Sequence, residues 1–162
     1  MWLDQHGSEV LERNECLRLL AVVAKEGGIA RLGVATSGAP VIVPVNFAYA
    51  NAGVVIQIAR GTVSDFAAGS LVAIEVDRVD ETAREAWSVL LRGYARVSQN
   101  ESAARQRRIP RPLAPVPGDL VIFVRGDDVT GRRFPLITSQ ADQDSSSNSH
   151  PSSAASSASS RN

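Results

Sequence analysis

The chain has 162 residues, with 17 basic side chains against 17 acidic ones, a single cysteine and an apolar share of 44%. That length suits one domain. The charge balance removes any global electrostatic argument for a nucleic-acid or anionic-membrane partner, and one cysteine excludes an internal disulfide. No run is apolar enough to span a bilayer and no basic-plus-apolar leader opens the chain, so the cytoplasm is the expected compartment.

Taken in order, residues 1–8 carry no pattern and are expected to fray. Over residues 10–25 the apolar side chains recur at helical spacing, with Leu17, Leu20, Ala21 and Ala24 on one face. Gly27 and Gly28 then stop the helix. Cys16 falls inside it and reads as a small buried hydrophobe. His6 and His150 stand far from each other and from Cys16, so no metal site is expected.

Three apolar runs follow at residues 31–35, 41–49 and 54–59. The first two are separated by Ser37-Gly38 and the last two by Asn51 to Gly53. Such turns join antiparallel strands, so the three form a meander. Pro44 interrupts the middle run. Proline cannot donate to a ladder, which makes that strand irregular or an edge. A broken ladder beside Asn46, followed by Arg60-Gly61-Thr62, leaves room for a ligand.

Thr62 has the chemistry of a helix N-cap, and Asp65 three residues later imitates a capping box. A short helix is expected to continue through Phe66 to Ala68 and to end at Gly69. Its first N–H groups, with Arg60 just before them, make a phosphate cradle conceivable; a plain strand-to-helix connection explains the same residues. Residues 71–77 (LVAIEVD) read as a fourth strand and 78–85 as a charged turn. Residues 87–97 (WSVLLRGYARV) read as a long fifth strand, with Gly93 a bulge.

Residues 101–108 carry Arg105, Arg107 and Arg108 on what reads as a solvated helical turn rather than a nucleic-acid surface, because no aromatics interleave them. Residues 110–118 form a proline-punctuated loop. Residues 120–125 (LVIFVR) are a sixth strand, and 127–134 a turn with a short closing segment. From residue 138 the chain turns to Ser, Ala and amides, which cannot bury enough apolar surface to offset the entropy of ordering. The expected organisation is one domain over 1–137 and a disordered tail over 138–162. The fold class is mainly β: a partly open, Greek-key-like β-barrel of six strands with flanking helices. So small a barrel fills its own interior, which sends any ligand to an outer surface or a subunit interface.

The order ECLRLL (15–20), ARLGV (30–34), GAPVIVPVNF (38–47), ARGT (59–62), IEVD (74–77), WSVLLRGYA (87–95) and VTGRRF (129–134) resembles the pyridoxamine 5′-phosphate oxidase-like, FMN-binding split barrels. The resemblance covers most of residues 10–135. It implies a homodimer with FMN at the subunit interface. The strand Pro44-Val45-Asn46-Phe47 would lie along the isoalloxazine ring, Arg60-Gly61-Thr62 and Val63 would meet the phosphate, and Trp87-Ser88 would complete the site. Apart from a bound cofactor, Trp87 reads equally as a core or interface anchor, and Asn46 as an amide filling a strand irregularity. Many relatives carry Lys where this chain has Val63, and the only Lys here, Lys25, lies in the first helix. Arg60 or Arg92 is the available substitute.

Two functional expectations follow from the resemblance. One is an oxidoreductase that uses FMN, or a related deazaflavin, on a small molecule. The other is a non-catalytic module that binds a flavin, heme or another planar ligand. Oxidation of pyridoxamine phosphate itself is not expected, because the substrate-binding basic residues are not recognisable. Neither nucleic acid nor membrane is an expected partner.

Overall fold

The computed structural model describes residues 2–3, 8–98 and 120–136. The expected helical turn at 101–108, the loop at 110–118 and the tail from 138 lie outside the described residues. The chain runs β1 (Trp2–Leu3), β2 (Glu9–Val10), α1 (Arg13–Lys25), β3 (Ile29–Val34), β4 (Val41–Ala50) and β5 (Gly53–Ile58). It continues through α2 (Thr62–Ala67), β6 (Leu71–Asp80), β7 (Glu85–Ser98), β8 (Leu120–Arg125) and β9 (Asp128–Pro135).

The six strands expected from sequence close a ring in the order β3-β4-β5-β8-β7-β6, with every pairing antiparallel. After the β3-β4-β5 meander the chain crosses through α2 to lay β6 beside β3. It then returns through β7 and β8 to β5, which is the Greek-key-like order expected. The ring is split rather than uniformly laddered. β4 pairs with β3 over its first six residues, down to Ile29↔Asn46. From Phe47↔Ile56 onward it pairs with β5 instead.

β7 changes partner in the same manner. Residues 85–92 ladder with β9 along one edge, and residues 95–98 ladder with β8 along that edge. Gly93 sits at the change. No bulge forms there, because Val72↔Gly93 continues the regular β6 register. The glycine is needed for another reason: a Cβ at this position would lie 2.3 Å from the Arg125 carbonyl oxygen. β9 is longer than the short closing segment expected and matches β7 over eight residues.

Alternation supplies the core. Leu32, Phe47, Ile56, Ile74, Leu91 and Ile122 point inward and are fully buried. α1 closes the barrel's flank with Cys16, Leu17, Leu19, Leu20 and Val23, and burial pushes the Cys16 thiol upward in pKa. The helix starts at Arg13, later than its periodicity suggested, because Glu9–Val10 pairs with β9 and Glu12 is extended at the N-cap. Trp2–Leu3 adds to β2, so this part of the N-terminus is laddered, not frayed. Two-residue strands are too short to show a period. Among the described residues, no helix is long and apolar enough to cross a membrane.

Arg133 on β9 ties these outer elements together. Its guanidinium stands 3.4 Å from Glu9, 3.1 Å from Glu15 and 3.5 Å from Glu85, on β2, α1 and β7 respectively. Arg18 bonds both oxygens of Glu15 at 2.7 Å. Those bonds, and Arg133 after them, hold the Glu15 carboxyl at about 2 against the opposing effect of burial. A carboxyl whose pKa is depressed by folding contributes stability above its ordinary value of 4.5, and that contribution drains away as pH falls toward 2. Glu15→Gln is therefore expected to be less stable than wild type at pH 7 and to lose less stability between pH 4.5 and 2. Chemical denaturation at stepped pH measures this; parallel pH profiles would show that the carboxylate contributes nothing.

Candidate functional site

The change of partner along β4 leaves the other edge of Val41–Asn46 without a strand among the described residues. β5 and the chain that follows diverge from it, and a groove of about 510 Å³ opens between them. One wall comes from Ile29, Val43, Pro44, Val45 and Asn46. The other comes from the run Gln57 to Val63. Pro44 thus falls on an irregular, half-edged strand, as its missing donor required. Its side chain faces outward with Ile42 and Asn46, while Val45 and Phe47 face the core.

The groove floor ends at the start of α2. Gly61, not Thr62, is the N-cap residue, with φ 154° and ψ −168°, a conformation that side chains disfavour. The cap is closed by Ser64 rather than Asp65. Ser64 Oγ accepts the Gly61 N–H at 2.9 Å and donates to the Gly61 carbonyl at 2.8 Å. The first intrahelical bond runs from the Asp65 N–H to the Gly61 carbonyl, so the N–H groups of Thr62, Val63 and Ser64 precede it. Ser64 is fully buried, so this closure is internal and independent of any ligand.

Of the expected site residues, the structure brings together Pro44, Val45, Asn46, Arg60, Gly61, Thr62 and Val63. Phe47 is adjacent in sequence but wholly inside the core. Trp87 and Ser88 lie on β7, outside the groove lining; Trp87 is buried between Arg78 and Arg133 in the ladder. Arg92 pairs with Asp128 at 2.5 Å on the sheet's outer face, so it does not serve the groove. Arg60 does. It is exposed on the rim, and among the described residues it makes no ion pair or side-chain hydrogen bond. It is also the lining's one charged residue. Sequence reasoning missed Ile29, Val43, Gln57, Ile58 and Ala59. Gln57 had a signal, since it is the only polar side chain in the β5 run GVVIQI.

A six-strand ring split along one strand, with a groove at the split, defines a split-barrel protein. Residues 12–133 match the family described as pyridoxamine 5′-phosphate oxidase, and the chain belongs to this family. It is 32% identical to the uncharacterized protein Rv0080 of Mycobacterium tuberculosis over 131 residues, covering 76% of this chain and 84% of the relative. Among solved structures, the FAD binding protein of Mycobacterium smegmatis is 29% identical with a TM-score of 0.64, covering 78% of this chain and 98% of that one. An FAD-binding protein of Mesorhizobium loti shares the fold at 20% identity and a TM-score of 0.63, with 78% and 98% covered.

Because the Ser64 closure is buried and doubly bonded, Ser64→Ala is expected to cost about 1 kcal/mol, the usual value of a lost cap. Urea denaturation of the two proteins measures it. Coincident midpoints would show that water replaces the hydroxyl without loss.

Proposed function

We propose that this protein binds a flavin in the groove and uses it to move electrons or a hydride to or from a small molecule. The observation that carries this reading is Arg60: a cation without a protein partner among the described residues, set on the rim of a mostly apolar groove in which it is the one charged residue. A planar ring finds apolar surface from Val43, Pro44 and Val45, and a phosphate finds Arg60, Thr62 and the N–H groups beside it. The likeness to the M. smegmatis FAD binding protein supports the same ligand class. FMN and FAD share a phosphate at the same distance from the ring, so Arg60 suits either, and a deazaflavin of the same plan as well.

The lining holds no carboxylate, His, Cys or Lys; its polar side chains are Asn46, Gln57, Arg60 and Thr62. A bound flavin supplies the redox chemistry. The chain's part is to orient the ring along Pro44 to Asn46, hold the phosphate and exclude water from the apolar wall. Heme is the weaker occupant, because the lining offers no His, Cys, Met or Tyr as an axial ligand.

A homodimer belongs to this reading. The outer face of β4, β6 and β7 exposes Ile42 (68%), Leu71 (57%) and Tyr94 (61%), an apolar surface that a second copy would cover. Within one protomer the groove lacks Trp87 and Ser88; in the proposed dimer, half-exposed Ser88 on that same outer face would meet the partner's ligand. Sedimentation at micromolar concentration is expected to give twice the chain mass, and Tyr94→Glu to shift it toward the monomer. A monomeric wild type would remove the shared site.

The phosphate assignment has its own test. Val63 is half-buried at the groove's end, so a lysine there would lay its stem along the apolar wall and present its charge at the rim. Val63→Lys is expected to tighten FMN about tenfold, the effect of one added charge-assisted contact. Arg60→Ala is expected to weaken FMN by a similar factor. Riboflavin, which lacks the phosphate, is expected to respond to neither. Calorimetry with FMN, FAD and riboflavin decides it. Equal responses to FMN and riboflavin would place the phosphate elsewhere.

A further inference from the structure

The groove's first wall is held at its start by charge rather than by ladder. β3 pairs with β4 from Ile29↔Asn46 to Val34↔Val41, but with β6 only from Arg31↔Glu75 to Val34↔Val72. Beyond that point the two strands part, and β6 runs on to Asp80 against β7 alone among the described residues. Ile29 is 53% exposed and lines the groove, yet its backbone is laddered on one side only. The chain reaches it from α1 through two glycines. Gly27 turns at φ 75°, in the left-handed region that glycine enters without strain, and the Gly28 N–H donates to the Val23 carbonyl at 2.9 Å. Ile29 thus stands at the free end of a strand, just after a glycine turn.

Two ion pairs span the gap that the ladder leaves. Continuing the β3–β6 register sets Asp77 across from Ile29. Asp77 pairs instead with the Arg31 guanidinium, which also holds Glu75 at 2.8 Å. The next residue of β6, Arg78, pairs with Glu26 at the end of α1. Neighbouring residues of a strand project to opposite faces, so β6 grips the chain from both faces, at Glu26 and at Arg31, with Ile29 between them. One exposed ion pair adds little to the stability of a whole protein. A pair that fixes a segment lacking half its ladder acts on position instead.

We propose that Asp77 and Arg78 are positioning residues for the groove: through Arg31 and Glu26 they clasp the Ile29 wall against β6 and keep it in place for the ligand. This deepens the flavin reading and rests on it for the identity of the ligand; the clasps belong to the free chain. A ring that needs the Ile29 wall meets it only in the clasped fraction of molecules, so its apparent affinity falls in proportion to that fraction. Salt screens exposed charges, so the wall loosens as ionic strength rises, and even an uncharged ring then binds less tightly.

The test is a charge swap at the Glu26–Arg78 clasp, which lies on the opposite face of β6 from Asp77. Arg78→Glu and Glu26→Arg each break it, and the double variant restores it with the signs reversed. Hydrogen exchange at residues 28–30 reads the wall, with residues 32–34, laddered on both sides, as the internal reference. Riboflavin, which is uncharged, reads the groove by fluorescence quenching. Each single variant is expected to exchange about threefold faster at residues 28–30 and to bind riboflavin about threefold more weakly, the size of one lost exposed pair. Residues 32–34 are expected to exchange as in wild type, and the double variant to recover both readouts. Raised sodium chloride is expected to act on wild type as the single variants do. Melting curves establish that each variant is folded. If the double variant exchanges as fast as the single ones, the clasp does not hold the wall and the proposal is overturned. If exchange is rescued but riboflavin binds all four proteins alike, the wall does not serve the ligand, and the proposal is overturned while the flavin reading stands. If wild type binds no riboflavin, the flavin reading fails and takes the affinity claim with it, while the exchange rescue still decides whether the clasp holds the wall.

Discussion

The structure depends on a limit of backbone hydrogen bonding. Each strand has two edges, and a small barrel is complete only if every strand ladders on both. β4 does not. It spends its first six residues on β3 and its last four on β5, and the residue at which it changes is Asn46. Everything about the groove follows from that change: its position, its two walls and its open rim. The barrel still closes because β7 makes the complementary exchange from β9 to β8 on the far side, with Gly93 admitting the Arg125 carbonyl. Two strands are thus shared between two half-sheets, and the core runs through both without interruption.

Rigidity at the groove comes from elements that owe nothing to a ligand. Ser64 closes the turn at Gly61 from inside the core. Val63 and Phe66 pack against the same core and hold α2 in place. Arg133 gathers three carboxylates from β2, α1 and β7 on the opposite flank. The groove is a preformed feature of the chain, so binding need not be preceded by ordering of α2, and the free energy of contact is not diminished by that cost.

Much of this was legible before the structure. Apolar, β-branched runs bounded by turn residues mark strands whatever their partners, so all six ring strands stood out in the sequence. Pro44 announced the broken ladder by its chemistry alone, and Arg60-Gly61-Thr62 announced the second wall. What remained hidden depends on pairing. Gln57 reads as one outward polar residue until the groove is seen to open beside it. Gly93 reads as a bulge until β8 is seen to cross beside it. Thr62 has the better capping side chain, but Gly61 alone tolerates the backbone the turn needs, so the cap lies one residue earlier and recruits Ser64. Trp87 was read equally as a core anchor, and within one protomer that is its place. The terminal strands are too short for any period to show.

The open edge of β4 has one more consequence. Six residues of extended backbone with Ile42 exposed beside them would accept an intruding strand from another molecule, the usual beginning of edge-to-edge aggregation. Pro44 stands near the middle of that stretch, where its missing donor and fixed ring make a poor template for annealing. The proline that opens the barrel also guards the opening. A chain that replaced it with valine would gain a smoother strand at the risk of precipitating on its neighbours.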